Sequence, residues 1–311
     1  MARQLRIQYE GAIYHLLNRG DRREDIFLDE ADRSTFLEAL GAACLKTGWQ
    51  VHAYCLMTNH FHLVVETPRP NLVAGMKWLL GTYTIRFNRR HRFSGHLFAG
   101  RYKSLLVDES DRHYLRTVCD YVHLNPVRAG MVAEGEKLES YRWSSYLSYL
   151  RPTLRPKWLR CDRLLGEHGI DRESRRSRLE FGRRTEARRR DAQGPDEAMI
   201  RRGWRFGADD FVARLLDRCE AAPSEHHRGI ERAETDEQKA ERMVRAALAE
   251  MRWQEDELAR RRKSDPIKLR LARRLRHETA VSLKWIARRL EMGTWTHVSN
   301  LMRKESVSST D

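Results

Sequence analysis

Nineteen residues from Trp49 to Thr67, WQVHAYCLMTNHFHLVVET, limit what this chain can fold into more than any other stretch. They are dense in aromatic and β-branched side chains and are broken at Thr58-Asn59, a pattern that predicts two strands paired as a hairpin. The flanking segments extend it. AIYHLL (12–17) reads as a strand, followed by the turn cluster Asn18-Arg19-Gly20-Asp21. From Asp29 to Gly48, Phe36, Leu37, Leu40 and Cys44 recur at helical spacing, with Asp29 or Asp32 suited to cap the start and Gly48 the end. After Pro68 and Pro70, Asn71 can cap a long helix whose apolar stripe is Leu72, Met76, Leu79, Leu80, Tyr83 and Phe87. RYKSLLVD (101–108) predicts a fourth strand, and Asp111 caps a helix that ends before Pro126. The order β-α-β-β-α-β plus one helix predicts an α+β, ferredoxin-like split βαβ domain. That fold hosts many functions and names none.

At 311 residues the chain is long enough for about two domains. The expected division is an α+β domain over 1–150, a basic linker over 151–205, and a helical region over 206–311. No run approaches the ~20 apolar residues of a spanning helix, and MARQLRIQYEG lacks an apolar export core, so a cytoplasmic protein without membrane contact is expected. Five cysteines with no C-x-x-C pair argue against a disulfide framework and against a cysteine-rich zinc module. Fifty-nine Lys and Arg against 44 Asp and Glu leave +15, which implies a polyanionic partner. The excess is spread over several segments, favouring nucleic acid over a membrane surface. Residues 172–190 carry nine Arg and three Glu, and residues 259–276 nine Lys or Arg and one Asp. The first of these segments is either a solvated helix or linker, or a surface that tracks phosphates.

In a strand, the side chains of His60 and His62 leave the same face, where two imidazoles can bind one metal ion together. Alone, H-x-H also suits hydrogen-bonded core or surface histidines. In YVHLN, Tyr121 and Asn125 stand at i and i+4, stacked on one helical face that can cross the sheet near the histidines. Each has an ordinary alternative, Tyr121 as a core tyrosine and Asn125 as a helix-end residue before Pro126. His123 faces elsewhere on that helix, as a surface residue or one standing behind the site.

Together YHLLNRGDRREDIF (14–27), YCLMTNHFHLVVET (54–67), GHLFAGRYKSLLVD (95–108), YVHLNPVRAGMV (121–132) and YRWSSYLSY (141–149) resemble the HUH single-tyrosine transposases, most closely the REP-associated branch. The resemblance covers residues 10–150 in family order. It implies His60 and His62 as metal ligands, Tyr121 as nucleophile and Asn125 as third ligand, a position more often glutamine in insertion-sequence relatives. Two imidazoles and an amide oxygen suit Mg²⁺ or Mn²⁺. The implied chemistry is attack by Tyr121 on single-stranded DNA at hairpin-forming repeats, giving a 5′-phosphotyrosine that a second 3′-OH can resolve. The close branch suggests a monomer, with a dimer exchanging the tyrosine helix left open. Candidate DNA contacts are Arg19, Arg86, Arg90, Arg101, Lys103 and Arg128, each equally readable as a solvated charge.

In SLKWIARRLEMGTWTHVSNLMRK (282–304), Leu283, Ile286, Ala287 and Leu290 form a stripe that resumes after Gly293 with Val298, Leu301 and Met302. It resembles a helix-turn-helix presenting Thr296, His297, Asn300 and Arg303 to DNA, with a plain helical hairpin as the alternative. Two rival functions remain beside the DNA strand transferase: a non-catalytic hairpin-DNA-binding regulator, which forms no covalent adduct, and a structured-RNA binder, which prefers ribose.

Overall fold

The computed structural model describes residues 6–170, 172–189, 195–220, 236–279 and 281–307. The chain divides into two compact units, Met1–His227 and Arg228–Asp311.

The first unit follows the predicted order: β1 (Ala12–Arg19), α1 (Glu30–Thr47), β2 (Gln50–Leu56), β3 (His60–Thr67), α2 (Leu72–His91), β4 (Lys103–Val107) and α3 (Arg112–His123). A two-residue β5 (Arg205–Phe206), which no strand pattern announced, extends the sheet to the order β2-β3-β1-β4-β5. β1 runs antiparallel to both β3 and β4, β2 antiparallel to β3, and β5 parallel to β4. The first four strands therefore have ferredoxin-like connectivity. The helix ends follow local chemistry. Asp29 accepts the Asp32 N–H at 3.0 Å, and Gly48 closes α1 at φ 76°, a left-handed conformation that favours glycine. Asn71 precedes α2 but forms no side-chain cap. Its amide instead donates to the Thr47 carbonyl at 2.8 Å and accepts from the Trp49 indole at 2.8 Å, tying the two helices together.

Strand alternation sorts the sheet into two faces. Phe61 and its neighbours Leu63 and Val65 belong to the face covered by α1 and α2, where Phe36 lies 4.8 Å from Phe61 and 5.1 Å from Tyr83 between ring centroids. The helices approach closely around Trp49, because a Cβ on Gly75 would stand 2.1 Å from Trp49 Cζ2. Gly75→Ala is therefore expected to destabilise the unit by roughly 3 kcal/mol. A thermal midpoint equal to wild type would contradict that contact.

The chain beyond residue 124 runs through α4 (Asn125–Arg128), α5 (Tyr146–Leu150), α6 (Asp162–Glu167), α7 (Arg175–Arg188), α8 (Pro195–Arg202) and α9 (Phe211–Glu220). The segment 151–205, read from its charge as a linker, packs into the core of the first unit. Leu159 bridges to Val51, Phe181 is fully buried and stacks on Tyr149 at 5.0 Å, and Arg188 of α7 pairs with Asp120 of α3. Much of the α7 arginine charge is neutralised locally: Arg183 and Arg184 share Glu180 at 2.8 and 2.7 Å, and Arg178 meets Glu173 at 3.5 Å. Charge counting hid these apolar anchors, since one buried face needs few residues.

The second unit holds α10 (Asp236–Glu250), α11 (Glu255–Arg260), α12 (Pro266–Glu278), α13 (Leu283–Arg289) and α14 (Trp295–Val307). The predicted stripe forms its core: Ile286, Ala287, Leu290 and Val298 are buried, with Leu283, Leu301 and Met302 packed against them. The connection between α13 and α14 turns through left-handed Glu291 and Gly293, at φ 50° and 83°. Buried Lys268 secures it, donating to the Leu258 carbonyl at 2.9 Å and the Glu291 carbonyl at 3.0 Å. Arg289 grips Glu241 and Glu255 at 2.6 and 2.8 Å. Among the described residues, no helix is long and apolar enough to cross a membrane.

Candidate active site

The second face of the sheet gathers the polar residues. β1 registers Leu17 against His62 and Arg19 against His60, and the same Leu17 against Lys103 of β4. His15, Arg19, His60, His62 and Lys103 therefore share one face, because directly paired residues and residues two apart point the same way. α3 covers that face and brings Tyr121 to it, with ring centroids 5.9 Å from His62 and 5.7 Å from His15, both edge-on. His60 and His62 lie 5.1 Å apart, their rings at 76°. The two predicted histidines and the predicted tyrosine are thus neighbours in space, although 59 positions separate the second histidine from Tyr121 in sequence.

Asn125 departs from the expected helix geometry. α3 ends at His123, and α4 begins at Asn125 on the far side of Leu124, because Pro126 has no N–H to continue the ladder. The Asn125 amide nitrogen turns back to the Tyr121 carbonyl at 2.9 Å. Arg128 donates to that carbonyl as well, also at 2.9 Å, and lays its guanidinium 4.7 Å from the centre of the Tyr121 ring. Tyr121 is thereby held at its backbone and over its ring, with 9% of its surface exposed.

Burial sets the protonation of the imidazoles. Desolvation pushes His60 down to about 4, aided by the nearby Arg19 charge, and His15 down to about 4. It holds His62 well below the ordinary histidine value, with His15, His60, Arg19 and Arg128 acting in the same direction. All three rings are neutral at pH 7, so each keeps one nitrogen lone pair.

His15 had no place in the sequence-based site. It is a histidine in an apolar strand, 5% exposed, stacked on His62 at 5.2 Å and 13°, with its Nε2 2.9 Å from His62 Nδ1. The available signal was its position two residues before Leu17 on the same strand face. His123 is neither a surface residue nor behind the site. It is fully buried, hydrogen-bonded to Ser145 at 2.8 Å and surrounded by Tyr146, Tyr149 and Phe181.

The candidate DNA contacts divide. Arg19 and Lys103 lie on the site face and Arg128 lies over Tyr121. Arg101 is exposed in the segment leading into β4. Arg86 and Arg90 are on α2, across the sheet. Arg90 is committed to Asp29 and Asp32 at 2.5 and 2.6 Å, and Arg86 meets Glu38 at 3.4 Å. In the second unit Thr296 and Asn300 are exposed on α14 and His297 is half-buried, while the side chain of Arg303 lies outside the described residues.

A neutral histidine pair on the sheet face and a clamped tyrosine on the helix that covers it form one compact polar cluster. Residues 8–125 match the family of IS200-like transposases. The solved structure of a REP-associated tyrosine transposase bound to a REP hairpin aligns with 52% of this chain and 93% of that chain, at 15% identity and a TM-score of 0.41. Among curated proteins none matches.

Proposed function

We propose that the first unit cleaves and rejoins single-stranded DNA at hairpin-forming repeats, with Tyr121 as nucleophile. The observation that carries this reading is the placement of the Tyr121 ring edge-on to His62, with Arg128 over its face. In the step proposed, the Tyr121 oxygen attacks a DNA phosphorus in line and gives its phenolic proton to solvent, while the P–O3′ bond breaks and the departing 3′ oxygen takes up a proton from solvent. The products are a 5′-phosphotyrosine and a free 3′-OH; a second 3′-OH reverses the step and rejoins DNA without a nucleotide cofactor. Arg19, half-buried on the site face opposite His60, places its positive charge beside the position a phosphate would take. Lys103, exposed on the same face, adds charge for the strand.

The donor set suits a divalent ion. The two histidines are neutral, each has its Nδ1 already engaged, and the turned-back Asn125 amide leaves its Oδ1 as a third donor. His60, His62 and Asn125 would hold the ion, Mg²⁺ or Mn²⁺, which supplies charge to offset that developing on the phosphate. With a hairpin oligonucleotide, excess chelator is expected to stop cleavage while gel-shift affinity stays roughly unchanged, and Mn²⁺ restores cleavage at least as well as Mg²⁺. Full cleavage in chelator would remove the histidines from the ligand role.

For the second unit we propose a helix-turn-helix that grips duplex DNA through exposed Thr296 and Asn300, with His297 beside them. The observation favouring it is the tight, lysine-pinned turn that precedes α14. Asn300→Ala is expected to weaken duplex binding about tenfold and to leave adduct formation on a short hairpin unchanged. Equal duplex affinity would make the pair of helices a structural hairpin.

A further inference from the structure

We infer that His15 and Asn59 are positioning residues that lock His62 and His60 in the same tautomer, hydrogen on Nδ1 and lone pair on Nε2. The inference rests on the metal role proposed for the two histidines.

On the His60 side the hydrogen-bond polarity is fixed by an atom that can only accept. The Asn59 amide nitrogen donates to the Arg23 carbonyl at 2.9 Å, which settles which way the amide points. Its Oδ1 is then the atom 2.8 Å from His60 Nδ1. An amide oxygen only accepts, so His60 Nδ1 carries the hydrogen and Nε2 the lone pair. The carbonyl that anchors this relay belongs to a turn with two successive non-glycine residues in left-handed conformations, Arg22 and Arg23 at φ 49° and 66°. Such strain persists where surrounding contacts hold it. Here Gly20 N–H bonds the Asn59 carbonyl at 2.8 Å and Asp21 N–H the Leu97 carbonyl at 3.0 Å.

On the His62 side the partner is another imidazole, so either ring can in principle donate. Nε2 of His15 faces Nδ1 of His62 at 2.9 Å in nearly coplanar stacking. If His15 donated, the His62 hydrogen would sit on Nε2 and the pair would present one lone pair and one N–H. With His15 accepting, both histidines present Nε2 lone pairs. A ligand pair needs the second arrangement, and a ring locked by an outer partner is the usual support of metal-binding histidine. His15 also stands 5.7 Å from Tyr121, so its ring maintains the spacing between ligand and tyrosine.

The test uses the full-length protein, labelled with ¹⁵N at histidine and free of metal. Long-range ¹H–¹⁵N spectra report each ring's tautomer, with His60→Gln and His62→Gln spectra assigning the signals. Both rings are expected to show protonated Nδ1 and bare Nε2. In His15→Phe, which keeps an aromatic ring but has no acceptor, the His62 signal should move toward the Nε2–H form. In Asn59→Ala the His60 signal should do so. Mn²⁺ affinity, followed by electron paramagnetic resonance, is expected to fall roughly 10- to 100-fold in each. His15→Gln, which can still accept through its amide oxygen, should recover most of it.

Hairpin binding in chelator should stay at the wild-type level, which shows that the variants are folded. A wild-type His62 protonated on Nε2, or unchanged tautomers in both variants, overturns the proposal. If the wild type shows the expected tautomers and binds no Mn²⁺, the metal reading fails while the locking stands.

Discussion

Tyr121→Phe is expected to form no denaturation-resistant protein–DNA adduct, with cleavage of a hairpin oligonucleotide reduced by at least about 10⁴-fold, the scale of losing a covalent nucleophile. The change removes one hydroxyl and leaves the ring that His15, His62 and Arg128 contact, so hairpin affinity should remain roughly that of wild type. Tyr114, earlier on α3, is the informative control. Its ring packs edge-on against Phe206 at 5.1 Å, on the side of the added strand, and Tyr114→Phe should form adduct normally. Peptide mass analysis of the wild-type adduct should place the nucleotide on Tyr121. An adduct on Tyr114, or cleavage surviving in Tyr121→Phe, would dismiss the assignment, whereas a wild type that binds the hairpin and forms no adduct would favour a non-catalytic binder. A matched RNA hairpin bound more tightly than DNA would favour the third function.

The parts legible in the sequence were those governed by local periodicity. α1 runs from its Asp29 cap to Gly48 as the apolar spacing and the end residues predict, and the β2–β3 break falls at Thr58-Asn59. Period-two alternation placed His60 and His62 on one face, and the family motifs paired them with Tyr121. Partners set by register across strands were not legible. His15 reaches His62 only because β1 lies antiparallel beside β3, and no local rule chooses that neighbour. Asn59 read as a turn residue because its second role depends on a carbonyl 36 positions away. The linker assignment failed for another reason: composition averages over a helix, and in α7 the surface arginines outweighed buried Phe181, Gly182 and Thr185.

The same packing makes the position of a truncation decisive. A chain ending at residue 227 is expected to fold cooperatively and to form the Tyr121 adduct at close to the full-length rate, since it retains the whole first unit. One ending at residue 150 removes Leu159, Leu164, Leu165, Phe181, Phe206, Phe211 and Leu215, all buried in that unit. Each fully buried side chain of this kind contributes roughly 1.5 to 3 kcal/mol. Released chain entropy offsets part of that loss, but the gross figure is of the order of the ~5 to 15 kcal/mol that holds a typical domain folded. The cut also bares Tyr149 and His123, which Phe181 covers at 5.0 and 6.3 Å, and leaves Asp120, next to Tyr121 in the chain, without Arg188. The shorter chain should therefore show no cooperative thermal transition and no adduct. Two point variants in the full-length protein separate the causes. Phe181→Ala should cost about 3 to 5 kcal/mol while adduct still forms at low temperature. Arg188→Ala strands a buried carboxylate on α3 and should cost about 3 kcal/mol, with a slower adduct rate because the helix carrying Tyr121 loses an anchor. A chain ending at residue 150 that melts cooperatively and labels Tyr121 at the full-length rate would return residues 151–205 to the status of a linker.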